Sequence, residues 1–541
     1  MKKFAVLFLA GFLILALGAT VYAQPKLEFR ASGFIDVQSF YTMNVPPLYA
    51  PFPALWGKGQ PTTGSSGAGA EPAIPGAAAV TNYTTYVASP FGGNHKAGAL
   101  DKYVGYFDTR FMLRFDVAMG KELSGTVQFE MDASRWGNSA GQNAPGGTGD
   151  AGRWSADAVD TAIKFMYLDF GLPYFGIPVP MSVRLGVQPM GIRPWFLSAS
   201  DGSGVSGQIN IDPVGINPFY FKIAEGVDWI ADDCDVWGLQ VNAKVATFTV
   251  GGVWMYEHLG NYPVAGSNSF AAYANGANEA SFHWGTLFAD GKAGPIVLQF
   301  DVGMDWGKVK PPGTSFFVDN VKYRGYATRL KASFPWEKFD FGIVGMYASG
   351  SDANKTSKSG LPGTLTANGT ETRKVNGWVV PVGSEQAPAA GATVQESVLF
   401  YGQDPGASGG AGWMVNVRGD QVGTGSWGGT WFAKLYGSYK ATPWYKVTLQ
   451  GLYIGDTTKH GNTVGTRVKN TFTGDLANDK TIGVELDWIN QFQLWNNLTA
   501  KASFGYLIAG KAMQFYTGDP VSGNDKMRNP WAFRTQFLYT F

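Results

Sequence analysis

Cysteine is almost absent from this sequence, since Cys234 is the single one among 541 residues. One thiol forms no disulfide within the chain, and it cannot build a CxxCH haem attachment site or a cysteine-rich metal cluster. Histidine is scarce as well, and its copies are His95, His258, His283 and His460. None of them belongs to an HExxH motif or to a pair at ligand spacing. We therefore predict no metal site and no cofactor.

Charge is low and balanced. Lys, Arg, Asp and Glu together make up 15% of the residues, and the formal net charge is +1. A protein that binds nucleic acid needs a basic face to meet the phosphate backbone, so this balance argues against a nucleic-acid partner.

Long apolar runs are missing after the first residues of the chain. One run extends from Phe4 to about Leu17, follows two lysines, and leads to Val21-Tyr22-Ala23. This pattern is typical of a secretory signal peptide, so we interpret residues 1–23 as a cleaved signal and residues 24–541 as one mature domain. An anchor helix is the alternative, although the run is short for a membrane span. Because no later run is long enough for a transmembrane helix, membrane insertion would require β-strands.

Alternation of apolar and polar residues is what the sequence does have, and it is clearest over residues 531–541. In an extended strand, one face would carry Trp531, Phe533, Thr535, Phe537, Tyr539 and Phe541, and the other Ala532, Arg534, Gln536, Leu538 and Thr540. This segment resembles the closing strand of bacterial outer-membrane β-barrels. The resemblance implies that Tyr539 and Phe541 belong to the assembly signal.

The same alternation recurs between glycine-rich stretches along the whole chain. We predict an all-β fold, a transmembrane antiparallel β-barrel of about 18 strands with short periplasmic turns and long extracellular loops. The long loops are predicted at residues 44–102, 136–158 and 350–427. Residues 205–211 form a weak strand, which is retained because the alternation of short and long connections requires it. A barrel of this size encloses a water-filled channel unless loops plug it.

Polar residues of these strands are predicted to line the pore. The candidates are Arg30, Asp108, Arg110, Arg114, Asp116, Glu130, Asp132, Arg184, Gln188, Glu485, Asp487 and Arg534. One interpretation is a hydrated wall with cross-strand ion pairs. The other is a constriction lined by arginines, which would order charged solutes in a transverse field.

Several strand segments are similar to porin-like barrels of the alginate-export type. They include residues 166–170, 183–189, 482–487 and 505–510. Such barrels have eighteen strands and pass anionic polysaccharide or small solutes, so the resemblance implies that Arg184, Gln188, Glu485 and Asp487 face the lumen without a catalytic role. Val187 departs from the pattern, because a second basic residue is usual there.

Several short motifs resemble nucleotide-binding or catalytic motifs, but they lack the secondary structure that such motifs require. GxGxxG occurs at residues 202–207 and 423–428, but neither copy follows a strand and opens a helix. A nucleophile-elbow-like sequence at residues 406–410 lies in the longest predicted loop. The acidic cluster of Asp228, Asp232, Asp233 and Asp235 fits a solvated turn better than a calcium loop. We predict no catalytic residue and no enzyme.

The function predicted from these patterns is a porin in the outer membrane of a Gram-negative bacterium, with a channel for passive or weakly selective diffusion of small hydrophilic solutes. The alternative is a dedicated conduit, either for polysaccharide export or as a sheath around a partner such as a multihaem cytochrome. Expected partners are outer-membrane lipid, lipopolysaccharide and the barrel-assembly machinery. A homotrimer is left open.

Overall fold

The computed structural model describes a closed antiparallel barrel. The described residues are 27–43, 103–133, 136, 160–172, 179–226, 228–262, 278–310, 320–350, 352, 374–381, 396–402, 428–462, 468–470, 475–513 and 529–541. The main sheet has 19 strands, of which one is the two-residue Lys374–Val375, and the remaining 18 form the wall. The predicted fold class and strand number are confirmed.

The wall strands follow one another around the barrel in chain order. They are β1 (Leu27–Met43), β2 (Tyr103–Met119), β3 (Leu123–Ala133), β4 (Asp160–Gly171), β5 (Met181–Ile192), β6 (Ser198–Ile211), β7 (Val214–Ala224), β8 (Cys234–Val245), β9 (Phe248–Tyr262), β10 (Asn278–Ala293), β11 (Ile296–Lys310), β12 (Val321–Trp336), β13 (Phe339–Ala348), β14 (Thr430–Thr442), β15 (Tyr445–Asp456), β16 (Thr481–Trp495), β17 (Leu498–Ala509) and β18 (Trp531–Thr540).

The first and last wall strands close the barrel. β1 pairs with β2 on one side and with β18 on the other, in a register that runs from Phe34↔Thr540 to Met43↔Trp531. Beyond β18, the amides of Gly33 and Phe541 each donate to the carbonyl of the other, at 2.9 and 3.0 Å. Each described wall strand therefore has two hydrogen-bonded neighbours, which satisfies its backbone groups without water.

Alternation places apolar residues outside and polar residues inside, as β11 shows. Phe300 and Met304 are 40% and 47% exposed, whereas Asp301 and Asp305, on the opposite face, are fully buried. Side chains on one face of a closed sheet are exposed only if that face is the outer one, because the other face looks onto the enclosed space. The carboxylates therefore point inward.

Exposed aromatic residues form two belts on the outer face. One belt lies at the end where short turns join the strands, called the turn end, and includes Trp336, Phe339, Tyr439, Trp444, Trp495, Tyr539 and Phe541. The other lies at the opposite or loop end and includes Tyr41, Phe107, Trp254, Trp306, Tyr326, Tyr347 and Tyr453. Tyr326 and Trp336 are ten residue steps apart on β12. At about 3.3 Å per residue and a tilt of about 40°, the belts are about 25 Å apart, the height of a lipid-facing band.

The strand predicted as weak is longer than expected. β6 extends over Ser198–Ile211, and it pairs with β5 over Ser198–Ile209 and with β7 over Ser203–Ile211. Its glycines hide the apolar alternation, but one of them is needed for close packing. A Cβ atom on Gly204 would lie 2.2 Å from the carbonyl oxygen of Tyr220 and 2.6 Å from the Phe221 ring. The GxGxxG motif at residues 202–207 thus lies within a strand.

Other predictions fall wholly or mainly outside the described residues. These are the signal peptide at residues 1–23 and the loops at residues 44–102 and 136–158. The loop predicted at residues 350–427 is described in part, and there it is not external, as the next section shows. The described helical residues are the short Lys511–Met513 turn. No helix among the described residues is long and apolar enough to cross a membrane.

The closing contacts at the turn end predict that Phe541 is needed for barrel assembly. Its ring stacks on Phe111 at 6.0 Å and contacts Tyr539 at 5.8 Å, so the side chain bridges β18 to β2. We expect Phe541→Ala to lower the yield of heat-modifiable, folded protein several-fold. Phe537→Ala is the matched control, because Phe537 is equally exposed and lies in the strand interior. Equal folded yields for the two variants would contradict this role.

Candidate functional site

The inner face of the barrel is divided into two unlike halves. Along β10 to β16, inward side chains are buried under connecting segments, and this part is called the packed half. Along β2 to β6, inward charged side chains keep a quarter or more of their surface exposed in several cases, and this part is called the open half. Three segments build the packed half, namely residues 193–197, 374–381 and 396–402.

Glu396 fixes the third segment to the wall through a buried charge cluster. Its carboxylate accepts from the Arg329 Nη2 atom at 2.7 Å and from the Lys434 ammonium group, and the three side chains are 2–7% exposed. Gln450 donates to the Glu396 backbone carbonyl at 3.2 Å. Burial by itself raises the pKa of Glu396, but the attraction of Lys434 and Arg329 outweighs it and lowers this pKa to about 2. The carboxylate therefore stays ionised at any ordinary pH.

Two wall carboxylates receive the backbone of the same segment. Glu485 accepts from the amides of Leu399 at 2.6 Å and Phe400 at 2.9 Å. Asp487 accepts from the amide of Val398 at 3.1 Å. A run of consecutive amides without strand partners is costly to bury, and these carboxylates satisfy it. The residues on β16 thus act as anchors for the segment.

Apolar contacts complete this attachment. Leu399 and Phe400 are fully buried, and Tyr401 packs on Phe432 of β14 with ring centroids 4.9 Å apart. The Tyr401 hydroxyl donates to the Thr430 hydroxyl at 2.9 Å. The segment therefore contributes to the main apolar core of the protein, although its flanking sequence is rich in glycine.

Residues 374–381 begin in the wall and then turn into the barrel. Lys374–Val375 pairs in parallel with β12, and Trp378, Val379 and Val380 that follow are fully buried. The Val379 amide donates to Asp305 at 3.3 Å, and the Trp284 indole donates to the Val379 carbonyl at 2.9 Å. One inward side chain of β10 and one of β11 therefore bond to the backbone of the same residue in this segment.

The connection between β5 and β6 joins the same layer. Arg193 donates to Asp301 at 2.6 Å and also pairs with Asp290. The Trp195 indole donates to the second oxygen of Asp301 at 3.0 Å. Phe196 contacts Trp378 with ring centroids 5.5 Å apart, so this connection and residues 374–381 touch each other.

A chain of ion pairs follows the open half across four strands. Glu130 contacts Arg110 at 3.0 Å and Lys164 at 2.7 Å, and Lys164 also contacts Asp201 at 3.1 Å. These residues belong to β2, β3, β4 and β6. The alternating charges neutralise one another, and their side chains are 13–32% exposed.

A pocket of about 360 Å³ opens in the same half beside Arg184, which pairs with Asp169 at 2.8 Å. The guanidinium also lies over the Tyr167 ring at 4.4 Å. Polar side chains that line the pocket are Asp169, Ser182, Arg184, Ser206, Gln208, Asn217 and Gln240, and apolar ones include Met190, Ile192, Phe219 and Phe221. The pocket has the size and mixed lining of a small-molecule site.

The arginines of the predicted constriction lie on several wall strands, and the constriction itself stays a prediction. The arginines are each paired on the wall: Arg30 with Glu28, Arg110 with Glu130, Arg114 with Asp116, Arg184 with Asp169, and Arg534 with Gln38. They belong to β1, β2, β5 and β18. The alternative prediction, a wall of ion pairs, describes this arrangement, and a lumen-narrowing layer is supplied by the packed half.

The other predicted pore residues have different environments. Glu485 and Asp487 face inward but are 0% and 4% exposed under residues 396–402, so they do not border the open half. Gln188 is 1% exposed and bonds to Ser206 and to the Gly204 carbonyl within the wall. Asp108 is buried at 6%, whereas Asp116 is partly exposed. The side chain of Asp132 lies outside the described residues, although its backbone pairs with Arg110.

Glu396 and Trp378 are the main residues that sequence reasoning missed. Both lie in the stretch predicted as an external loop. Two short apolar runs, Trp378-Val379-Val380 and Val398-Leu-Phe-Tyr401, stand out in that otherwise glycine-rich stretch. Exposed runs of this kind are unfavourable, so they were a usable signal of burial.

The acidic cluster is partly neutralised by a lysine. Lys222 contacts Asp235 at 3.1 Å, Asp233 at 3.6 Å and Glu225 at 3.0 Å. Within the described ranges, no group of three or more His, Cys, Asp or Glu side chains is arranged to hold a metal ion. Cys234, beside the cluster, is a free buried thiol.

Comparison with known proteins gives similar folds only. No family model and no curated protein match the chain. Solved structures similar to it include three from Pseudomonas aeruginosa, of which the first is the outer membrane protein opdK (TM-score 0.44, 9% identity, covering 95% of this chain and 99% of that chain). OccK8 (OprE) has a TM-score of 0.44 at 9% identity and covers 94% and 98%. OpdK with vanillate has a TM-score of 0.42 at 8% identity and covers 94% and 98%. Conclusions about this chain therefore rest on its own residues.

The charge cluster predicts a specific effect of Glu396→Gln. Removing the carboxylate leaves Arg329 and Lys434 buried without their countercharge, which costs about 3–5 kcal/mol. We expect residues 396–402 to detach from the wall and the single-channel conductance in a planar bilayer to rise.

Glu279→Gln is the control for this experiment, because Glu279 forms an exposed ion pair with Lys310 on the outer face. Loss of such a pair costs at most about 1 kcal/mol and leaves the lumen unchanged. A wild-type conductance and melting temperature for Glu396→Gln would show that the cluster does not hold the segment.

Proposed function

We propose that the protein is an outer-membrane porin for passive or weakly selective diffusion of small hydrophilic solutes. The observation that carries the proposal is the open half of an 18-strand barrel, where the ion pairs Arg114–Asp116 and Arg184–Asp169 keep 27–40% of their side-chain surface exposed. Barrels of sixteen to eighteen strands are wide enough for an aqueous channel. The outer face, an apolar band between two aromatic belts, fits a lipid bilayer.

The packed half favours small solutes over a polymer. Three segments occupy one side of the lumen and are fixed there by buried charges, which narrows the path to the side of β2 to β6. The finer resemblance, to barrels that export alginate, would require a wider passage for a hydrated polysaccharide. Val187, at the position where a basic residue is usual in those proteins, also weakens that assignment. We therefore favour the small-solute channel.

Channel formation is tested directly with refolded protein in a planar bilayer. We expect discrete conductance steps, and in liposome-swelling assays we expect monosaccharides to enter faster than trisaccharides. The narrowed lumen is the reason for this size dependence. Folded protein that gives no steps and no swelling would contradict the proposal and would favour a barrel occupied by a partner.

The open half predicts which charges set ion selectivity. Arg114 and Arg184 are the most exposed arginines among the described residues there, at 40% and 34%. We expect Arg114→Gln together with Arg184→Gln to shift the reversal potential in a salt gradient toward cation selectivity, since the partner carboxylates Asp116 and Asp169 remain. Arg324→Gln, on the exposed outer face, should leave the potential unchanged. If the wild type, the double variant and Arg324→Gln had the same reversal potential, the ion path would not pass Arg114 and Arg184.

A further inference from the structure

Basic residues form a compact patch on the outer face at the loop end. Lys308 on β11 is the register partner of Lys322 on β12, and Lys322 is in turn the parallel partner of Lys374. Register partners have Cβ atoms about 4.5–5.5 Å apart, so three lysines lie abreast across three neighbouring strands. Arg324, two positions along β12 from Lys322, adds a fourth cation on the same face. We call these residues the basic patch.

The basic patch faces away from the lumen. All four residues are exposed, and they alternate with Val309 and Tyr323, which are 0% and 2% exposed on the inner face. Trp306 is the register partner of Arg324 and shares its face. Arg324 is therefore level with the aromatic belt at the loop end, and the three lysines lie immediately beyond it.

The four cations of the patch outnumber the acids near them in the part of the chain that the structure describes. The nearby acid Glu279 bonds to Lys310 at 2.9 Å and also attracts Lys308, so it offsets only part of the patch charge. Among the described residues, no carboxylate lies within 4.0 Å of Lys308, Lys322, Arg324 or Lys374. Like charges directly opposite one another in a sheet repel, so an external anion would relieve the repulsion.

Depth in the membrane identifies the chemistry of that anion. Exposed Trp306 and Tyr326 mark the level of the membrane interface, where aromatic side chains concentrate. Cations just beyond this level are placed at the headgroups, and clusters of Lys and Arg there bind anionic lipids. The exposed side chains of Trp306 and Tyr326 provide apolar surface for acyl chains next to the cations.

We propose that the basic patch is a binding site for the phosphate groups of a multiply acylated, phosphorylated glycolipid of the outer leaflet, whose acyl chains pack on Trp306 and Tyr326. The site requires the membrane orientation of the proposed function but not an open channel. Lys308, Lys322 and Lys374 bind one phosphate in a row, and Arg324 binds the same or a second phosphate in a bidentate manner.

The test compares a patch variant with a matched control in which the same number of cations is removed at the turn end. The patch variant is Lys308→Gln, Lys322→Gln, Arg324→Gln and Lys374→Gln. The control is Lys121→Gln, Lys292→Gln, Lys338→Gln and Lys440→Gln, all exposed in the structure. Native mass spectrometry of detergent-solubilised protein counts bound lipid A during a titration, and heat-modifiable mobility verifies folding.

We expect the wild type and the control to bind bisphosphorylated lipid A at least about tenfold more tightly than the patch variant, in line with a gain from each cation near the phosphate. Chemically dephosphorylated lipid A should bind equally weakly to all three proteins. If the fourfold variant folds poorly, Lys308→Gln with Lys374→Gln is used, and an intermediate loss of affinity is expected.

Two results would overturn the proposal. One is equal affinity of the patch variant and the control for bisphosphorylated lipid A. The other is complete competition by millimolar inorganic phosphate, which would mean a site for free anions. Single-channel conductance of the patch variant separates the lipid-binding proposal from the proposed channel function. A variant that loses lipid binding but keeps normal conductance shows that the patch binds lipid and is not needed for the channel. Absence of conductance in the wild type would contradict the proposed channel function and not the lipid-binding site.

Discussion

Closure of β1 onto β18 is the constraint on which the other features depend. It satisfies the backbone of the described wall strands and fixes the number of strands, and the strand number sets the width of the enclosed space. Side chains of the wall alone are too short to fill a barrel of this width. The protein fills one half with connecting segments and leaves the other half polar. The two halves are therefore consequences of one geometric requirement.

Charged side chains have different roles in the open half and the packed half of the barrel interior. In the open half, Asp116 and Asp169 pair with arginines at side-chain exposures of 27% and 35%, so water screens these pairs and each contributes little to stability. In the packed half, Glu396 and Glu485 are buried, and they are tolerable only because cations or backbone amides meet them. Residue type alone does not distinguish these tasks. The difference is created by the segment that covers one set and leaves the other uncovered.

The sequence predicted the wall well and the lumen poorly. Alternation with period two, as in β18, reports directly which face is apolar, and it identified the strands and the inward direction of Glu485 and Asp487. Glycines in β6 removed that signal, so its length was underestimated. Glu485 is buried because residues 396–402 pack over it, and the Leu399 amide that bonds to it is 86 positions away in the sequence. Local patterns carry no information on such a pairing, although the apolar run at residues 398–401 indicated that it was buried.

Attachment of residues 396–402 has a consequence for how the lumen changes with time. The segment is held by Glu396, Glu485 and Asp487 together, and each of these buried groups is costly to leave half satisfied. When one of these contacts is lost, the segment is held less firmly and the other contacts break more easily. Attachment and release are therefore cooperative. We therefore expect the current through a single molecule to switch between two levels without intermediate values.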